Sequence, residues 1–217
     1  MAPMKIDFVS DVVCPWCIIG LKSLDIALAR IGDDIGPIEL NFQPFELNPQ
    51  MPPEGEDITE HLSRKYGLTP EQVAQNQANI QARAASVGFE FNMDKRSRTW
   101  NTFDCHRLLF WAHLSSPERQ KALKEALFAA YFTHGLNPGD HDLLCRLAGE
   151  VGLDADEARA VLDGDEFADD VRAEEAVWQQ SGIRSVPAIV INKQHLISGG
   201  QPPEVFEQAL REIAAAT

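Results

Sequence analysis

Basic residues are scarce in this chain. Lys and Arg total 19 against 33 Asp and Glu, a formal charge of −14 over 217 residues. A surface this acidic repels phosphate backbones and anionic lipid, so neither nucleic acid nor membrane is expected as a partner. Long apolar runs are missing as well; none would span a bilayer. The start, Met1-Ala2-Pro3-Met4-Lys5, lacks a basic segment followed by an apolar core and a small-residue cleavage site, so no secretory leader is expected. Cysteine is sparse, 4 in all, too few to staple a secreted fold of this length. There is no internal repeat, low-complexity linker, phosphate-binding glycine loop, metalloprotease motif or nucleophile elbow. What these absences leave is a soluble, cytoplasmic protein. Its 44% hydrophobic content suffices for one domain or two closely joined lobes. Stable disulfides are rare in the cytoplasm, so paired cysteines there more often react than staple.

Two of the cysteines are paired in just that way, in Cys14-Pro15-Trp16-Cys17. The motif follows an apolar run, Ile6 to Val13, and opens the helix-like stretch Ile18 to Ile31. Unpaired backbone N–H groups and the positive end of the macrodipole favour a thiolate over a thiol there. Pro15 suits the first helical position, where its missing N–H costs nothing and its φ is already helical. Cys14, at the helix mouth, is the expected nucleophile; Cys17, one turn in, is the expected resolving thiol. The motif reads as a redox centre.

Around it, Lys5 to Val9 predicts a buried first strand and Ile38 to Phe45 a second, which gives a βαβ opening. Between them Gly32, Asp33-Asp34 and Gly36-Pro37 mark the end of the helix and a turn. The middle predicts helices over Asp57 to Tyr66, Thr69 to Ser86 (with the layout of a capping box), Asn101 to Leu114, and Ser116 to His134. Two shorter helices start at Asp140 and Asp154, and Phe89 to Met93 reads as extended. Glu166 to Gln180 predicts a helix, Val186 to Ile191 a strand, His195 to Ser198 its hairpin partner, and Pro202 to Ala215 a final helix.

The chain resembles the DsbA-like thioredoxin-fold oxidoreductases, in the FrnE-like branch related to 2-hydroxychromene-2-carboxylate isomerases. The resemblance is carried by Ser10 to Cys17 with Ile19-Gly20, by Phe42 to Pro49, and by Asn101-Thr102-Phe103 with His106-Arg107-Leu108. Gly182 to Pro187 and Ile197 to Pro202 complete it, in the family's order. It implies an α/β thioredoxin fold with a large all-helical insertion: residues 1–50 and 165–217 forming the thioredoxin-like domain, 51–164 the insertion. It also implies a cis Pro187 and thiol–disulfide exchange. The residues themselves agree on Pro187: a proline opening a strand leaves the Val186 backbone free for an incoming extended chain. Val186, Pro187 and Trp16 are therefore the expected substrate-binding residues.

The expected tuning residues are Pro15 and Asp11. No histidine lies between the cysteines, which argues against the strongest oxidants. Thioredoxin-like proteins commonly keep a buried acid six positions before the first cysteine; here that residue is Phe8. Asp11 lies nearer, either as a carboxylate acting on Cys14 or as an ordinary loop carboxylate. His106 is a further candidate, with a buried, hydrogen-bonded histidine as the plainer reading. Cys105 and Cys145 read as buried free thiols. No metal is expected, a zinc site from Cys14, Cys17, Cys105 and His106 being the weaker reading. No bound cofactor is needed either, since the cysteines hold the electrons; partners are protein or small thiols and disulfides, glutathione among them. Two other functions compete. Glutathione-dependent isomerases of the related type use a serine or lone thiol, and a Ser-Asp pair where this chain has Gly200-Gln201. A redox-switched binding or chaperone module is the non-enzymatic alternative.

Overall fold

The computed structural model describes residues 3–216. Strand β1 (Met4–Ser10) enters the core at once and leads into helix α1 (Pro15–Ile31), with Pro15 in its first turn and Cys14 as its N-cap. Gly32, at φ 59, ends that helix in a conformation that a side chain would disfavour. Strand β2 (Ile38–Pro44) returns parallel to β1.

The insertion follows: β3 (Glu56–Asp57), α2 (Ile58–Tyr66), α3 (Pro70–Ser86), β4 (Arg98–Thr99), α4 (Phe103–Ser115), α5 (Pro117–Phe128), α6 (His141–Glu150) and α7 (Ala155–Asp163). Its helix starts carry the predicted caps. Asp57, Thr69, Ser116, Asp140 and Asp154 each accept a hydrogen bond from the first turn, and Thr69 with Gln72 completes the capping box. Helix α8 (Ala168–Gln180), β5 (Ala188–Ile191), β6 (His195–Ser198) and α9 (Pro203–Ala215) close the chain.

Three expectations need correction. The insertion is not all helix, because β3 and β4 pair antiparallel, Glu56 opposite Thr99. Phe89–Met93 is not a strand; Asn92 donates a single hydrogen bond to the Phe132 carbonyl, and Phe91 packs on the Phe132 ring at 4.6 Å. Helix α5 does not run regularly to His134. It widens into a π-helical turn over Ala129–Thr133, which keeps Phe128, Tyr131 and Phe132 all buried.

The main sheet has the order β2-β1-β5-β6, with β5 antiparallel to both its neighbours. Alternation divides β1 between two layers. Ile6 and Phe8 join the large core with α1 and α9, whereas Val9 packs with Trp178 and Ile183 of the α8 side. The large core runs without a break from Phe8, Cys17 and Leu24 to Leu108, Leu127 and Phe132, so the insertion and the sheet share it.

Helix α5 fixes how they join. β2 is an edge strand, and the Gln120 amide treats it as a missing neighbour would. It accepts from the Phe42 N–H and donates to the Phe42 carbonyl, both at 3.0 Å. Reciprocal ion pairs tie the same helix to α1: Lys121 Nζ to Asp25 Oδ1 at 2.5 Å, and Lys22 Nζ to Glu125 Oε1 at 2.7 Å.

Candidate active site

The loop Asp11–Val13 delivers Cys14 to the mouth of α1. The Cys14 N–H donates to the Asp11 carbonyl at 3.3 Å, and the Cys17 N–H to the Cys14 carbonyl at 3.1 Å. Cys14 is 4% exposed and Cys17 0%, so the leading cysteine is the more accessible of the pair. All four cysteines are free thiols. Burial, and then the neighbouring Cys14, push the Cys17 thiol well above its ordinary pKa, while the Asp11 backbone and Lys124 pull the other way.

The Val186–Pro187 peptide bond is cis. It lies directly against the motif, where the Cys14 Sγ donates to the Val186 carbonyl at 3.6 Å across 172 residues of sequence. Two glycines allow this approach. A Cβ on Gly20 would lie 3.2 Å from the Pro187 ring, and one on Gly200 would lie 2.9 Å from the Trp16 carbonyl. Trp16 stands out from the site at 40% exposure, and Pro15 is half-buried beside it.

Asp11 is wholly buried. One carboxylate oxygen accepts from the Val12 N–H at 2.8 Å and from His106 Nε2 at 3.2 Å; the other accepts from the Leu47 N–H at 2.8 Å. Burial pushes its pKa up, but His106, the Leu47 N–H and Thr102 together hold it below the ordinary value. Asp11 and His106 thus stand together under the motif and join three of the sequence patches: Ser10–Cys17, Phe42–Pro49 and Asn101–Leu108. Cys105 faces elsewhere, its thiol donating to the Pro138 carbonyl at 2.9 Å. Among the described residues, no three His, Cys, Asp or Glu side chains are arranged to hold a metal.

Several groups were not anticipated. Lys65 and Tyr66, at the end of α2, lie within electrostatic reach of Cys14. Lys65 donates to the Leu47 carbonyl at 2.9 Å and Asn48 Oδ1 at 2.7 Å, and Tyr66 is 57% exposed. Glu46 and Glu175 are buried together, both bonded to Arg172, whose guanidinium lies 3.8 Å from the centre of the Phe103 ring. Burial, and then the Glu175 charge, raise the Glu46 pKa to about 7 against the pull of Arg172. Lys124 of α5 is 0% exposed and lines a small cavity with His106, Gln43 and Pro44.

The arrangement presents two thiols at a helix mouth, a peptide carbonyl against the first, and an aromatic wall. Comparison with known proteins agrees. The model of the DSBA-like thioredoxin domain matches residues 5–211. The chain is 30% identical over 206 residues to the uncharacterized protein YwbO of Bacillus subtilis, covering 94% of each. A probable DsbA oxidoreductase from Streptomyces coelicolor is 35% identical, with a TM-score of 0.88 over 98% of this chain and 90% of that one. The cytosolic disulfide reductase DsbM of Pseudomonas aeruginosa, solved with GSH, shares the fold: TM-score 0.67 at 15% identity, over 97% of this chain and 99% of that one. The chain belongs to the DsbA-like family of thioredoxin-fold oxidoreductases.

Proposed function

We propose that this protein is a cytoplasmic dithiol–disulfide oxidoreductase of the FrnE-like branch, acting on protein or small-molecule disulfides. The observation that carries the reading is the Cys14 thiol at the N-cap of α1, 3.6 Å from the carbonyl of the cis-prolyl loop. That carbonyl and its neighbours form an extended rim on which a substrate backbone can lie. Val186 and Pro187 receive the substrate, and Trp16 gives it an apolar platform.

The exchange is balanced without a bound cofactor. Cys14 attacks one sulfur of a substrate disulfide; that S–S bond breaks, the far sulfur leaves as a thiolate, and a mixed disulfide with Cys14 forms. Cys17 then attacks the Cys14 sulfur and expels the second substrate thiolate. The substrate has gained two electrons, and Cys14 and Cys17 are joined. An external thiol resets the pair. Glutathione is the candidate, a choice supported by the GSH held by the DsbM structure. Run in reverse, the same steps oxidise a substrate dithiol. The isomerase alternative is disfavoured by the two cysteines and by Gly200-Gln201 at the start of the last helix.

Insulin reduction driven by dithiothreitol tests the reading. Activity is expected in the unaltered protein and should vanish in Cys14→Ser; turnover surviving that change would overturn it. Calorimetry with glutathione separates the isomerase, which would bind it tightly with no mixed disulfide formed.

A further inference from the structure

The face of the sheet on which α8 packs is only partly covered. Side chains alternate along β1, so Asp7 lies on the same face as Val9, which Trp178 and Ile183 close over. Beyond them, toward the turn of the β5–β6 hairpin, the layer opens into a cleft of about 590 Å³, a size that suits a small organic molecule. One wall is a stripe of α8 and its end, Glu174, Val177, Trp178 and Ser181, at the spacing of a single helix face. The other wall is the hairpin, with Val190 and Leu196. Val177 and Leu196, one from each wall, are 51% and 54% exposed. Neither cysteine of the motif lines this cleft, nor does Pro187.

The floor is polar and incompletely bonded. Asp7 is 5% exposed, a carboxylate inside the sheet between Asn41 of β2 and Val190 of β5. Its one side-chain hydrogen bond is with Gln43, whose Nε2 donates to Asp7 Oδ1 at 2.7 Å. A carboxylate only accepts, so this contact commits the Gln43 amide nitrogen and leaves its oxygen for another donor. Asp7 Oδ2 and Gln43 Oε1 are thus two acceptors on residues that line the cleft, and neither has a partner among the described residues. Burying a carboxylate without a cation beside it costs folding free energy. The other charged or titratable groups at the cleft are Glu174 on α8 and Lys193 and His195 in the hairpin, none of them ion-paired among the described residues. Lys193 and His195 are exposed at the rim, whereas Asp7 is fixed by the sheet.

We propose that this cleft binds a small organic amine in its ammonium form, at a site separate from the redox centre. The ammonium donates to Asp7 Oδ2 and Gln43 Oε1 and supplies the cation that the buried carboxylate lacks. The hydrocarbon body lies between Val177 and Trp178 on one side and Val190 and Leu196 on the other. It covers apolar surface that is otherwise open to water. The net charge of −14 attracts cations to the molecule and disfavours anions. Binding involves no covalent step and makes no use of the thiols.

Calorimetry on the full-length protein near neutral pH tests this with benzylamine, and with benzyl alcohol and benzoate as its neutral and anionic counterparts. Benzylamine should bind with a dissociation constant of about 1 mM or less and shift the indole N–H resonance of Trp178. The alcohol and benzoate should bind at least about tenfold more weakly. Asp7→Asn keeps an acceptor for Gln43 but removes the charge, and should weaken benzylamine about thirtyfold. Equal affinity for amine and alcohol overturns the proposal, as does undiminished amine binding in Asp7→Asn or no response up to about 10 mM amine. Should Asp7→Asn not fold, the three probes on the unaltered protein decide. Cys14→Ser should bind benzylamine as the unaltered protein does; loss of binding there would put the amine at the redox centre and overturn the assignment to this cleft.

Discussion

At the scale of single residues, the buried carboxylates make opposite demands on pH. Asp11 has a depressed pKa, so its contribution to stability is complete above the ordinary aspartate value, near 4, and is lost as acid protonates it. Glu46 runs the other way. With its pKa raised from 4.5 to about 7, the folded state holds a proton that the unfolded chain releases, so stability falls as pH rises through that window and is level above it. Glu46→Gln should flatten the fall in melting temperature between about pH 4.5 and about pH 7; an unchanged slope would assign it to another group. Glu46 Oε2 is buried without a hydrogen-bond partner, which fits a protonated carboxyl there. Cys14, Cys17 and Pro187 were legible because each carries its chemistry in a local pattern. Lys124 and Glu46 were not, because a single charged residue reads as solvated until its neighbours are known.

At the scale of elements, helix starts were the most legible features, since a cap and the first turn it serves lie within a few residues. Ladders between distant segments were not: β3 and β4 are two residues each and too short for alternation to register. Nor was the role of Gln120, which depends on an edge strand 78 residues away in sequence. Gln120→Ala should orphan the Phe42 N–H and carbonyl and remove a bond of 3.2 Å to the Leu109 carbonyl. The expected cost is about 3 kcal/mol, read from the shift in urea midpoint; a loss below about 1 kcal/mol would mean that water replaces the amide. Gly200→Ala tests the junction of α9 with the motif. Its Cβ would meet backbone at 2.9 Å, so the helix must move, at about 1–3 kcal/mol, with a change in Trp16 fluorescence. Full stability with unchanged fluorescence would contradict this packing.

At the scale of the whole molecule, one continuous core joins the sheet to the insertion, and the ion pairs between α1 and α5 cross the same seam. The chain should therefore unfold as one unit. Helical circular dichroism and the exposure of the Cys105 thiol, which lies in the insertion, should share a single urea midpoint. Thiol exposure well before the loss of helix would show that the insertion opens alone.

The amide clamp on β2 also bears on how copies of this protein meet. A foreign strand approaching that flank finds the central rung, Phe42, already taken by a side chain of the same molecule. To zip on, the intruder must evict Gln120 and loosen the helix that it anchors. Ordered stacking of chains through this margin is thereby discouraged, and the same contact that seats α5 also guards against it.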